Sequence, residues 1–107
     1  MVISQGDFDF LKFAMKRLNI HEPIKILRYK SKKTYPDIWI DLGKKPVEIW
    51  VTKEWSSHDM HTRRRQLLHE ILHLKGLEHG TYNGLEYSTY PAKDTYSIYQ
   101  YKQMIRK

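Results

Sequence analysis

The 107-residue chain contains no cysteine. That absence excludes disulfides, thiol catalysis, cysteine zinc knuckles and iron–sulfur clusters. Histidine and carboxylate remain as its strong metal ligands. The chain also lacks any apolar run approaching the roughly 20 residues that span a membrane. Its start, MVISQGDFDF, has no basic region followed by an apolar one, so no signal peptide is expected and the default compartment is the cytoplasm. No internal repeat, low-complexity stretch or linker interrupts the sequence. Acidic residues are in short supply: 12 Asp and Glu against 19 Lys and Arg leave a net charge of +7. This excess makes nucleic acid or an acidic surface a candidate partner. Net charge, however, bears on association rather than on fold.

A hydrophobic fraction of 40% and an aromatic fraction of 13% suit one packed domain over residues 1–107, with a thin core. Without disulfides, so small a domain relies on that core, a bound ion or a partner subunit. Ser4, followed three residues later by Asp7, reads as a helix start. Phe8, Leu11, Met15 and Leu18 then form a helical stripe that ends near Asn19 and His21-Glu22-Pro23. Three short strands follow: Ile24–Tyr29, Asp37–Leu42 and Val47–Thr52. Ile38, Ile40 and Leu42 share one face, as do Val47, Ile49 and Val51. Gly43-Lys44-Lys45-Pro46 joins the last two strands as a hairpin. Trp39 and Trp50 fall together on one face, which needs a cover. Ser56-Ser57-His58-Asp59 offers caps for a second helix from Met60 to Lys75, with Gly76 as its stop. Turn residues Gly80, Asn83 and Gly84 come next. The tail holds Tyr96, Ile98, Tyr99, Tyr101, Met104 and Ile105 at helical spacing, although its Tyr and Thr also suit an extended form.

The most informative segment is Leu67 to His79, which reads His-Glu-x-x-His-x-x-Gly-x-x-His. Residues four apart share a helix face, so His69 and His73 can hold one metal ion. Leu68, Ile71 and Leu72, with Leu67 and Leu74 beside them, form the anchoring face. Gly76 lets the chain turn back, and His79 supplies a third ligand; Glu78 and Glu86 compete for that place. Zinc suits this set, one ion per chain. Three protein ligands leave a fourth position for water, the arrangement of a catalytic site. Zinc lowers the pKa of that water and polarises a carbonyl. Glu70, set to one side, takes the water's proton and passes it to a leaving amine. A bare His-Glu-x-x-His arises by chance in roughly 2% of shuffled chains of this composition, and the Gly76 and His79 extension lowers that to roughly 5 in 100,000. The extension is therefore what separates a site from an amphipathic helix with solvated histidines.

Other residues carry weaker signals. His21, His58 and His61 read as surface or cap residues. Arg63-Arg64-Arg65 reads as a solvated helix face, or as a contact for phosphate or an acidic substrate. Tyr82, Tyr87 and Tyr90 are candidate hydrogen-bond donors to an oxyanion.

On these residues the chain resembles the minigluzincins, minimal zincin metallopeptidases of thermophilic prokaryotes. The resemblance covers essentially the whole chain, and its specific part is Leu67 to His79. It implies an α+β fold: a small mixed three-stranded sheet with an N-terminal helix, a zinc-binding active-site helix and a C-terminal helix or tail. It implies a zinc endopeptidase acting on peptide or protein substrates, with His69, His73 and His79 on the metal and Glu70 as general base and acid. It implies kinship to the catalytic domains of integral-membrane metallopeptidases without their membrane helices. It further implies a latent zymogen whose C-terminal segment, residues 91–107, blocks the cleft. The helical pattern of that segment favours a homodimer made by exchanging it. A substrate would lie extended along an edge strand, for which Val47–Thr52 is the candidate.

The continuation also resembles the metzincins, but the chain lacks length for their lower subdomain. A further resemblance is to the YbeY-type endoribonucleases, which share His69, Leu72, His73, Leu74, Gly76 and His79. Glu70 stands where those enzymes carry glycine, which favours peptide hydrolysis. The charge of +7 keeps RNA as the alternative substrate. A domain in which zinc is only structural is the third reading, and Glu70 argues against it.

Overall fold

Alternation in Val47-Glu48-Ile49-Trp50-Val51 sorts the strand into two faces, and Val47, Ile49 and Val51 are all buried. This strand, β3 (Val47–Val51), is central to the sheet. The order is β1-β3-β2, where β1 is Ile24–Arg28 and β2 is Ile38–Asp41. β1 runs parallel to β3, and β2 pairs with β3 antiparallel as the expected hairpin. The sheet is therefore mixed and three-stranded, and the chain is α+β. The computed structural model describes residues 2–29, 37–75, 80–82, 85–87 and 102. The C-terminal segment 91–107, expected to fill the cleft or to exchange between copies, lies outside them except for Lys102.

One expectation is overturned by this topology. β3 has neighbours on both sides, so it offers no edge to a substrate. Among the described residues, the edges are β1 and β2. Alternation shows which face of a strand is buried; it does not show which strands flank it.

α1 (Gln5–Arg17) begins where Ser4 predicts: the Ser4 hydroxyl accepts the Asp7 N–H at 3.2 Å. It ends in a Schellman turn. Asn19 sits at φ 59°, its N–H donates to Lys16, and the Ile20 N–H donates back to Met15. Asparagine accepts this left-handed conformation more readily than most residues. Phe10, Leu11 and Ala14 are buried, with Phe8, Met15 and Leu18 packed at the margin.

A short helix missed by the sequence reading, α2 (Lys53–Ser56), follows β3 directly. Thr52 is its cap rather than the last strand residue. Its hydroxyl accepts the Trp55 N–H at 3.2 Å and donates to the Asp37 carbonyl at 3.0 Å. α3 (Met60–Leu72) is capped by Asp59 and tightens into a 3-10 turn over His73–Lys75, three residues before the end expected for a uniform α-helix. Such a turn satisfies last-turn carbonyls that have no partner in an α-helix. Leu67, Leu68, Ile71 and Leu72 are fully buried, as their spacing predicts. They share one core with Ile38, Ile49, Val51, Trp55 and the buried face of α1. A second two-stranded ribbon, β4 (Gly80–Tyr82) with β5 (Leu85–Tyr87), was not expected from the turn residues around it.

Trp39 and Trp50 face each other across the hairpin, stacked with centroids 6.1 Å apart. Tyr29 meets both edge-on at 4.8 and 6.0 Å. This aromatic cluster lies opposite the helical layer, and Tyr29 supplies part of the cover that the tryptophans need.

Candidate active site

α3 carries the candidate chemistry and is held at both of its faces. Its N-terminal half is tied to α1: Asp7, 1% exposed, accepts Arg63 Nε at 2.7 Å and Arg64 Nε at 3.0 Å. Arg63 also donates to the His58 carbonyl, and the Arg64 guanidinium lies 5.8 Å from the Phe10 ring. Gly6 leaves room for it, since a Cβ there would stand 2.9 Å from an Arg64 nitrogen. Arg63 and Arg64 are thus half-buried partners of Asp7. This corrects both expectations for the basic run, because neither arginine is a solvated face or a ready phosphate contact.

The C-terminal half of α3 presents His69, Glu70 and His73. Candidate ligand atoms of the three lie within 4.8 Å of one another. The two imidazole rings meet edge-on with centroids 5.1 Å apart, as the four-residue spacing predicts. His69 Nε2 is 3.9 Å from a Glu70 carboxylate oxygen. His69 and Glu70 are buried and His73 is half-buried. Burial pushes the Glu70 carboxyl up to about 8, only partly offset by a hydrogen bond donated by the Ile40 backbone N–H.

That last contact identifies the strand beside the site. The Asp37 carbonyl accepts the Thr52 N–H across the sheet, so residues 37, 39 and 41 turn their backbone groups toward β3. Ile38 and Ile40 turn theirs away from β3, where the Ile40 N–H meets Glu70. The edge beside the site is β2. Sequence reasoning missed Ile40 as a site residue, because a backbone N–H leaves no mark in composition or motif.

Gln66 was also missed. It sits one turn before Glu70 on the same helical stripe, is 4% exposed, and its Oε1 has no hydrogen-bond partner among the described residues. Two other histidines have partners of their own: His21 bonds the Asn19 side chain, and His58 Nε2 pairs with Asp37 at 2.6 Å. His79, Gly76, Glu78 and Tyr90 lie outside the described residues, as do the side chains of Tyr82, Glu86 and Tyr87.

The three side chains could hold a metal ion. Two imidazoles converge next to a buried carboxyl whose ionisation burial opposes, and a bound dication would supply the compensating charge. No family model, curated protein or solved structure matches the chain. Among the described residues, no helix is long and apolar enough to cross a membrane.

Proposed function

We propose that the chain is a zinc-dependent endopeptidase whose working parts are α3 and the edge of β2 turned away from β3. One observation carries this reading: His69, Glu70 and His73 converge beside a strand edge whose outward Ile40 N–H reaches the Glu70 carboxyl. His69 and His73 would hold the metal, with His79 as the expected third ligand. Zinc, when bound, supplies a Lewis acid that polarises a carbonyl and acidifies water. Glu70 moves the proton, from water to the leaving amine. Its position on α3, rigidly anchored by four fully buried aliphatic residues, fixes the carboxyl relative to both imidazoles. A peptide added to the β2 edge would pair through the backbone of Ile38 and the carbonyl of Ile40, whose N–H is engaged by Glu70. We assign latency to residues 91–107.

The ribonuclease reading drew on Arg63 to Arg65, and the commitment of Arg63 and Arg64 to Asp7 weakens it.

Metal analysis and casein cleavage test the proposal together. The expected content is about one zinc per chain. Glu70→Gln should keep the zinc and lower cleavage about 10²–10⁴-fold. His69→Ala should lose both. If the full chain is silent, a version ending at Tyr90, shown folded by circular dichroism, should cleave. Absence of zinc, or cleavage untouched by Glu70→Gln, overturns the reading. Cleavage of a structured RNA that survives Glu70→Gln would replace it with the endoribonuclease.

A further inference from the structure

Beyond the site, the strand and the helix that build it both run into one cavity of about 530 Å³. Leu42 follows the last residue of β2, and Leu74 follows His73; both line this cavity with Pro23, Pro46 and Val47. Its wall is apolar, and Leu42 is 50% exposed. Two cations, Lys44 and Lys45, stand at its rim against one acid, Glu22. Neither lysine is committed to an ion pair or hydrogen bond among the described residues.

The register of the two elements explains why the cavity continues the site. Ile40 lies against Glu70. Two residues along a strand advance about 6.6 Å, and four along a helix about 6 Å, so Leu42 keeps pace with Leu74. A peptide extended on the β2 edge therefore passes the candidate catalytic residues and reaches this cavity next.

We propose that the cavity is a specificity subsite for the flank of a peptide substrate that carries an apolar residue next to a carboxylate. The apolar side chain fills the space between Leu42 and Leu74, and the carboxylate meets Lys44 and Lys45. A basic flank would face these two lysines at the same rim, so the subsite discriminates by repulsion as well as by attraction. The inference rests on the reading of β2 as a peptide-binding edge, and its test is one of binding rather than turnover.

The full chain carrying Glu70→Gln and loaded with zinc is titrated into three fluorescent decapeptides, with anisotropy as the readout. One peptide is acidic and apolar, one basic and apolar, and one acidic without apolar residues. The first should bind about tenfold or more tighter than either of the others. Lys44→Glu with Lys45→Glu should remove that preference. Lys25→Glu with Lys53→Glu makes the same change in net charge away from the cavity and should leave the preference within about twofold. Leu42→Asp, at an exposed position, should weaken the first peptide alone. Equal binding of the acidic and basic apolar peptides overturns the subsite, as does absence of binding both to the full chain and to the folded version ending at Tyr90, which lacks the segment assigned to latency. So does an equal effect of the two lysine pairs, which would assign the preference to net charge. Selective binding by a chain that cleaves nothing would retain the subsite and sink the peptidase reading instead.

Discussion

Asp7 and Gln66 are almost equally buried, at 1% and 4% exposure, yet their substitution should act in opposite directions. Asp7 is fully engaged. Burial alone would raise its pKa, but hydrogen bonds from Arg63 and Arg64, the Arg63 charge and the Ser4 hydroxyl outweigh this and hold it below the ordinary 3.8. Such a group stabilises the fold above its unfolded pKa and loses that contribution as pH falls through the depressed folded value. Asp7→Asn should cost about 2 kcal/mol at pH 7, less than the ~3–5 of a fully buried pair because the guanidiniums keep some solvent. In urea titrations the gap between wild type and Asp7→Asn should be constant from pH 7 to 5. It should narrow below about pH 4, where the unfolded chain's carboxyl takes up its proton, and close once pH falls through the depressed folded value. A gap unchanged at pH 2 would mean that Asp7 acts by shape rather than charge. Gln66 Oε1, by contrast, is buried without a partner among the described residues. Gln66→Leu removes that desolvated acceptor and keeps the volume, so stability should hold or rise by about 1 kcal/mol. Destabilisation beyond 1 kcal/mol in the same titration would show that the amide makes a bond in solution.

At the scale of elements, the link from β3 to α3 depends on Thr52. Its N–H and its hydroxyl both donate to the Asp37 carbonyl, and its hydroxyl also caps α2. Thr52→Val keeps the shape and removes the hydroxyl contacts, so thermal unfolding should report a loss of about 1–2 kcal/mol. No loss would mean that the backbone N–H alone fixes the link. Much of this architecture was legible in the sequence. The Ser4 cap, the buried stripe Leu67-Leu68-Ile71-Leu72 and the Trp39–Trp50 pairing each follow from local spacing, and local spacing is what a sequence displays. What escaped was long-range. Arg63 and Arg64 read as surface because their partner is Asp7, over 50 residues away. β3 read as an edge because nothing local says that β1 will lie parallel beside it. α2, one turn long, is too short to show a period. His69, Glu70 and His73 were legible because all three sit on one helix. The contact between Glu70 and Ile40 was not, since it depends on where β2 lies.

At the scale of the whole molecule, a chain without disulfides should feel a bound metal as part of its stability. His69 and His73 sit at the end of α3, and the third expected ligand lies beyond it, so an ion would tie the helix to the following chain. A ligand that binds only the folded form at 100 times its Kd adds about 2.7 kcal/mol. For a domain of this length that corresponds to a rise in Tm of about 10–20 °C. The observed rise should fall toward the lower figure, because the chain has six histidines and the unfolded form retains some zinc affinity. Calorimetry with and without excess chelator measures the difference. His69→Ala should abolish it, since one imidazole of the converging pair is gone. Glu70→Gln should preserve most of it, since position 70 is assigned to the proton and not to the metal. If Glu70→Gln erases the shift as completely as His69→Ala, Glu70 is itself a ligand. The geometry permits that role, since the Glu70 carboxylate stands 3.9 Å from the His69 ring nitrogen. The site would then hold its ion with two imidazoles and a carboxylate from a single helix, and the proton would need another carrier.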